Sequence, residues 1–145
     1  MSADAPLAPN LHASCVAFDP ARGVLILGPS GAGKSRLALA LVEQGARLVA
    51  DDQVLLCRDG GALYARAPRA IDSLIEARGL GLLRLPPLRL ARIALAIDLA
   101  APPARLPDPA PTRIGGVTIA CLPGRADSSF ARGLRHYLTR MRIPD

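Results

Sequence analysis

The chain has 145 residues, of which half are hydrophobic and 21% are charged, a balance that suits one globular domain and excludes a disordered one. No apolar run reaches the roughly 18 residues of a membrane span, and residues 1–10 lack the basic start and apolar centre of a secretory signal. The net charge is +6, but the arginines are scattered and aromatic residues make up only 3%, which argues against nucleic-acid binding. The three widely spaced cysteines favour reduced thiols and a cytoplasmic location over disulfides or a zinc site: Cys15, Cys57 and Cys121.

The first half of the chain predicts two strands followed by a helix. Residues 1–10 are expected to form a flexible tail, and residues 11–145 to form one domain. The apolar runs at 13–18 and 23–27 predict strands separated by a turn. A glycine-rich loop follows, and then a helix over 34–44 with apolar residues on one face and Gly45 at its end.

The second half predicts further strands and a C-terminal helix. A hairpin is expected around the Asp59-Gly60-Gly61 turn, residues 71–78 are expected to form a turn or short helix, and the proline-rich stretch 101–111 a surface connection. Because hairpins surround a single central helix, the sequence predicts one α/β domain with a mixed sheet and not a regular series of βαβ units. The remaining predicted elements are strands at 47–50, 80–83, 93–99 and 117–122 and a helix at 128–141.

The strongest chemical signal is a complete GxxxxGK[ST] P-loop motif between the second strand and the first helix. Its glycines let backbone amides turn toward phosphate oxygens, and the helix N-terminus adds partial positive charge. Lys34, the only lysine in the chain, is placed to reach the terminal phosphates, and the Ser35 hydroxyl to ligate Mg²⁺. The predicted nucleotide-binding residues are Gly28, Pro29, Ser30, Gly31, Ala32, Gly33, Lys34 and Ser35.

Three further groups of polar residues are candidates for the same site. Asp51 and Asp52 directly follow a strand. They can together bind Mg²⁺ and accept a proton, or they can simply be polar residues where the strand passes into a turn. Glu76, in the segment EARGLG, can complete a metal site or form an exposed ion pair. His12 and Arg125 are weaker candidates on their own, although Arg125 follows a Pro-Gly turn and can reach a transferred phosphate.

Taken in order, His12, GPSGAGKS, LVADD and EARGLG resemble the catalytic C-terminal domain of HPr kinase/phosphorylase. This bacterial enzyme phosphorylates a serine of the phosphocarrier protein HPr. The resemblance is tight from His12 to Leu83 and looser beyond, and four ordered motifs are far more specific than the P-loop alone. The chain is most similar to the short, alphaproteobacterial form of the family.

The resemblance implies roles for the matching residues. Asp52 would take the proton from the acceptor serine, and would return it when phosphoserine-HPr is dephosphorylated by phosphate. Lys34 would stabilise phosphate charge, and Ser35 and Glu76 would hold Mg²⁺. His12 would lie in the active site, and Arg125 would match an arginine after a turn.

The resemblance also implies a fold, a donor and partners. The fold would be related to that of phosphoenolpyruvate carboxykinase, the cofactors would be ATP and Mg²⁺, and HPr would be the partner in regulation of the phosphotransferase system. Long members of the family assemble as hexamers, so a homo-oligomer is expected, with no nucleic acid or membrane involved.

Two other functions fit the motifs. A small-molecule P-loop kinase would carry an arginine-rich lid, and no segment predicts one. A non-catalytic nucleotide sensor that binds HPr would have no use for a base at Asp52, so transfer assays with that residue replaced separate a sensor from an enzyme.

Overall fold

The computed structural model describes residues 6–68, 73–102 and 109–140, with side chains from Leu11 onward. The described residues have the mixed α/β architecture that the sequence predicts. In chain order the elements are β1 Pro6–Leu11, β2 Ser14–Ala17, β3 Gly23–Leu27, α1 Lys34–Glu43, β4 Arg47–Ala50, β5 Val54–Asp59, β6 Ala62–Arg66, β7 Leu74–Ala77, β8 Gly81–Arg84, β9 Ala91–Asp98, β10 Ala110–Ile114, β11 Val117–Pro123 and α2 Ser128–Arg140.

The main sheet has the strand order β1-β5-β6-β9-β3-β2-β4, and β11 joins the carboxyl half of β9 while β10 pairs with β11. β9 runs parallel to β3 and to β11, whereas the other neighbouring strands are antiparallel. β7 and β8 form a separate hairpin. The sheet is therefore mixed, as the pattern of hairpins around one loop and helix predicts.

Alternate residues of the central strands face opposite sides of this sheet, as the two-residue period of a strand requires. Val16, Val24 and Ile26 belong to the apolar cluster formed with α1 and α2. Cys15 and Leu25 belong to the cluster on the other face, which includes residues of the β10–β11 hairpin. Both helices therefore cover the same face of the sheet. They do not cover the ends of the strands, from which the loops begin.

The ends of several strands lie together at one end of the sheet, which is called an edge of the sheet below. β2 is antiparallel to both β3 and β4, so β3 and β4 run in the same direction, and β9 runs with them. The glycine-rich loop after β3 and the two aspartates after β4 consequently emerge at the edge where β2 begins. This topology brings His12 and Ser14, at the start of β2, to the same edge as residues far along the chain.

Three sequence predictions differ from the structure. The surface connection expected at 101–111 overlaps β10, which begins at Ala110, and residues 103–108 lie outside the described part of the chain. Pro6–Leu11 forms β1, paired with β5, where residues 1–10 were expected to be a flexible tail; residues 1–5 lie outside the described part of the chain. The predicted turn or short helix at 71–78 is wrong over Leu74–Ala77, which is β7, while 71 and 72 lie outside the described residues. The left-handed φ of 63° at Ser73 is incompatible with a helix through that residue, and pairing with β8 gives Leu74–Ala77 its strand conformation.

Candidate active site

The loop from Gly28 to Gly33 joins β3 to α1, which is the strand–loop–helix context that the motif requires. The Leu37 amide donates to the Gly33 carbonyl at 2.9 Å and opens the helical hydrogen-bond ladder. Gly33 has a φ of 102°, and a Cβ built there would lie 2.6 Å from the Ala126 Cβ. Only glycine therefore suits this position, both for its conformation and for its contact with the segment before α2.

Lys34 is buried at the base of the loop, with 7% of its surface exposed. Its Nζ donates to the carbonyl oxygens of Gly28 at 2.7 Å and of Pro29 at 3.0 Å. The loop carbonyls thus hold the ammonium beside the cavity. When an anionic ligand binds, its phosphate oxygens would replace these carbonyls as hydrogen-bond acceptors.

Asp51 is buried, with 6% exposure, directly after β4. The Ser35 Oγ lies 2.8 Å from its Oδ1 and 2.9 Å from its Oδ2, and the Ser14 hydroxyl donates to Oδ1 at 2.6 Å. The Glu76 amide is 3.5 Å from Oδ2, at the limit of a hydrogen bond. Asp51 therefore ties the start of α1 to β2 and orients the serine hydroxyl that the motif assigns to the metal.

Asp52 has a different environment from its neighbour. Its φ of 72° places it in the left-handed region, and its Oδ1 lies 2.8 Å from the Nε2 of His12. The two side chains are 67% and 49% exposed, so the pair is accessible to a substrate. The adjacent carboxylates thus divide the roles that the sequence left shared: Asp51 holds a hydroxyl inside the protein, and Asp52 faces the cavity beside a histidine.

A cavity of about 660 Å³ unites these groups. It is lined by most of the glycine-rich loop, by His12 and Asp52, and by Glu76 and Arg78 of the β7–β8 hairpin. Leu39 and Leu80 give it an apolar wall. The volume and the mixture of cationic, anionic and apolar walls suit a nucleotide-sized ligand.

Arg125 is not among the residues that line this cavity. Its Nε lies 3.4 Å from the Asp127 carboxylate, and its side chain is 64% exposed. Ala126 lines the cavity instead, against Gly33. The role suggested for Arg125 stays a prediction, and Arg78 is a cation that the structure does bring to the cavity.

The donor atoms of the site suit Mg²⁺. Ser35, Asp52 and Glu76 are among the residues that line the cavity, and their side chains carry the oxygen ligands that hard cations prefer. Within 6–68, 73–102 and 109–140, no group of three or more His, Cys, Asp or Glu side chains is arranged to hold a metal alone.

Nine of the site residues predicted from the sequence line the cavity, whereas Gly28, Pro29 and Arg125 do not, and the prediction missed Ser14. A serine inside a fully buried strand carries no motif spacing, and its partner Asp51 lies 37 positions further on. The only available signal was the presence of a hydroxyl in the otherwise apolar run ASCVAF.

Comparison with known proteins identifies the family of this chain. The sequence model of the HPr Serine kinase C-terminal domain matches residues 7–88, which is more than half of the chain. The chain therefore belongs to the HPr serine kinase C-terminal domain family. Among the described residues, no helix is long and apolar enough to cross a membrane.

Individual relatives of the chain are named HPr kinase/phosphorylase. The chain is 49% identical over 85 residues to the HPr kinase/phosphorylase of Geobacillus sp. (strain WCH70), a match that covers 53% of this chain and 27% of the relative. It is 42% identical over 86 residues to that of Clostridium novyi (strain NT), covering 59% and 28% of the two chains. The matched part is thus little more than a quarter of the curated relatives' length.

The structural likeness extends further along the chain. The structure of the Hpr(Ser) kinase/phosphatase from Coxiella burnetii superimposes with a TM-score of 0.74 at 25% identity, covering 92% of this chain and 95% of that one. The fold is therefore shared beyond Leu88, where the sequence match to the family ends.

Proposed function

We propose that the protein is an ATP- and Mg²⁺-dependent serine protein kinase that phosphorylates the phosphocarrier protein HPr. The observation that carries the proposal is the placement of Lys34, Asp52 and Glu76 around one cavity at the end of a P-loop motif. Family membership supports the same reaction, because the relatives named above are HPr kinases.

The chemistry assigned to the chain's own residues is acid–base catalysis and charge stabilisation. Asp52 accepts the proton of the acceptor serine hydroxyl while the serine oxygen forms its bond to the terminal phosphorus of ATP and ADP leaves. Lys34 moves from the loop carbonyls to the phosphate oxygens and stabilises the charge that they carry. Bound Mg²⁺, held by Ser35 and Glu76, would neutralise further phosphate charge.

His12 supports Asp52 in this proposal. The 2.8 Å contact from its Nε2 fixes the direction of the carboxylate, and the left-handed backbone at Asp52 turns that carboxylate toward the cavity. In phosphorolysis, inorganic phosphate attacks the phosphorus of phosphoserine-HPr and pyrophosphate forms, while protonated Asp52 gives its proton to the leaving serine oxygen, so both reactions use the same residues.

The proposal extends to the setting of the reaction. We assign the protein to control of the phosphotransferase system in the cytoplasm, as a homo-oligomer that binds neither nucleic acid nor membrane. The relation of its P-loop fold to that of phosphoenolpyruvate carboxykinase belongs to the same proposal and is supported by the mixed sheet.

The test is phosphorylation of purified HPr by the chain in the presence of ATP and Mg²⁺. Asp52→Asn should lower the transfer rate by about 100-fold or more, the usual contribution of a general base, and leave ATP affinity within about twofold. Phosphoserine is measured by mass spectrometry and ATP binding by calorimetry. Binding of ATP and HPr by the unaltered protein with no transfer would instead identify a nucleotide sensor.

A further inference from the structure

The carboxylate of Asp51 is held from two sides by serine hydroxyls. Ser14 donates to Oδ1 at 2.6 Å, and the Ser35 hydroxyl lies 2.8 Å from the same oxygen. Ser14 is fully buried and Asp51 is almost so. A buried carboxylate is costly unless such hydrogen bonds replace its water, so the two hydroxyls are part of what keeps Asp51 in place.

The position of Ser14 in the sheet explains how it reaches Asp51. β2 lies between β3, which leads into the glycine-rich loop, and β4, which leads into Asp51. Ser14 is opposite Ile26, one residue before β3 ends, and Cys15 is opposite Ala50, the last residue of β4. Ser14 therefore spans the gap between the two strands whose ends build the phosphate and metal sites.

The two serines stand in different relations to the cavity. The Ser35 hydroxyl has a single proton, and its contact with Asp51 directs that proton away from the ligand and leaves oxygen lone pairs for a cation. Ser14 gives its proton to Asp51 as well, so its part is to fix the carboxylate. If Asp51 turned, Ser35 would lose its orientation although its own backbone had not moved.

We propose that Ser14 is a positioning residue that sets the affinity of the site for Mg²⁺ through the relay Ser14–Asp51–Ser35. This inference rests on the proposed function, because it assigns the cation to Ser35. Ser14 contributes to the metal-dependent part of nucleotide binding. It does not contribute to the direct binding of phosphate by the loop, which depends on Lys34 and the backbone amides.

The experiment is calorimetric titration of ATP into the full chain, once with Mg²⁺ and once with EDTA. In Ser14→Ala we expect the Mg²⁺-dependent gain in ATP affinity to fall about tenfold, the scale of one lost hydrogen bond to a charged group. ATP affinity in EDTA should stay within about twofold of that of the unaltered protein. Equal losses in both buffers, or no loss in either, would overturn the inference.

A matched control is Ser73→Ala. Ser73 is also buried, and its hydroxyl accepts a hydrogen bond from Arg84 at 2.8 Å. Ser73 does not line the cavity. We expect this variant to lose stability to heat much as Ser14→Ala does while keeping the full effect of Mg²⁺, and a similar loss of the Mg²⁺ effect in both variants would contradict a specific role for Ser14.

Two further variants keep the test decisive. If Ser14→Ala does not fold, Ser14→Cys offers a slightly larger side chain with a weaker donor, and an unchanged Mg²⁺ effect in it would overturn the inference. Because Ser14 acts through Ser35, the double variant Ser14→Ala with Ser35→Ala should lose little more of the Mg²⁺-dependent gain in ATP affinity than Ser35→Ala alone.

Failure of the unaltered protein to bind ATP in the presence of Mg²⁺ would overturn the proposed function itself. Normal ATP binding with additive effects of the two substitutions would overturn only the relay.

Discussion

Lys34 shows how one side chain can be held ready for a ligand. Its ammonium is nearly enclosed and bound by two loop carbonyls, so it is already desolvated and located beside the cavity. An arriving phosphate replaces two neutral acceptors with charged oxygens, which form the stronger hydrogen bonds.

Lys34→Ala should weaken ATP binding by about 1–3 kcal/mol, the scale of a charge-assisted hydrogen bond. Calorimetry with ATP and Mg²⁺ measures the change. Arg47→Ala, which removes an exposed cation at the start of β4, is the control and should leave the affinity unchanged. Equal affinities for Lys34→Ala and the unaltered protein would place the ammonium away from the phosphates.

Residue patterns predicted most of this site because P-loop chemistry requires particular residues at fixed spacing. Gly28 to Ser35 and the strand-end aspartates could be found in that way. The split between Asp51 and Asp52 could not, since it depends on a left-handed backbone and on partners that only the sheet brings near. Arg125 follows a turn motif but does not line the cavity, so its role stays a prediction.

Elements with a clear apolar period were predicted well, and those without one were not. α1 covers Lys34–Glu43 and the β5–β6 hairpin surrounds the expected turn, so both predictions are confirmed. β1 contains two prolines and little alternation, features that an edge strand tolerates but that a search for strands rejects. β7 has the composition of a short helix, and its strand conformation is selected by pairing with β8.

The segment between β11 and α2 is fixed by a close approach at Gly124. A Cβ there would collide with the side chain of Ile97 and come within 3.0 Å of the Phe130 ring. The absence of a side chain lets α2 begin directly against the sheet, beside the cavity wall formed by Ala126.

Gly124→Ala should therefore lower the free energy of unfolding by about 1–3 kcal/mol, the usual cost of overpacking. Gly133→Ala is the matched control, because it lies within α2 and a Cβ there meets nothing within 4 Å. That control should gain about 0.5–1 kcal/mol from the better helix propensity of alanine. Urea unfolding of the two variants measures both changes, and a stable Gly124→Ala would show that α2 can shift away from the sheet.

At the scale of the whole molecule, the site draws on elements from most of the described chain. β2, the loop after β3, the end of β4 and the β7–β8 hairpin all contribute cavity residues. Since global unfolding separates these elements, a ligand of the assembled cavity binds only the folded state and stabilises it by mass action.

ATP with Mg²⁺ at about 100 times its dissociation constant should add about 2.7 kcal/mol and raise the melting temperature by about 5–15 °C. Scanning calorimetry or dye fluorescence measures the shift. Mg²⁺ alone is the control and should give a much smaller one. A melting temperature that is independent of ATP would mean that the cavity does not bind the nucleotide in the folded protein.

Lys34 in the phosphate loop is the only lysine of the chain, and the other basic residues counted with it are arginines. This composition has a practical chemical consequence. Apart from the terminal amine, Lys34 carries the only primary amine of the chain. Because Lys34 is nearly buried and its Nζ is bonded to two carbonyls, an acylating or reductive-alkylating reagent should react with it slowly. An isotope-labelled methyl group attached there would give one resonance from the centre of the nucleotide site, with no competing lysine signal from the rest of the molecule.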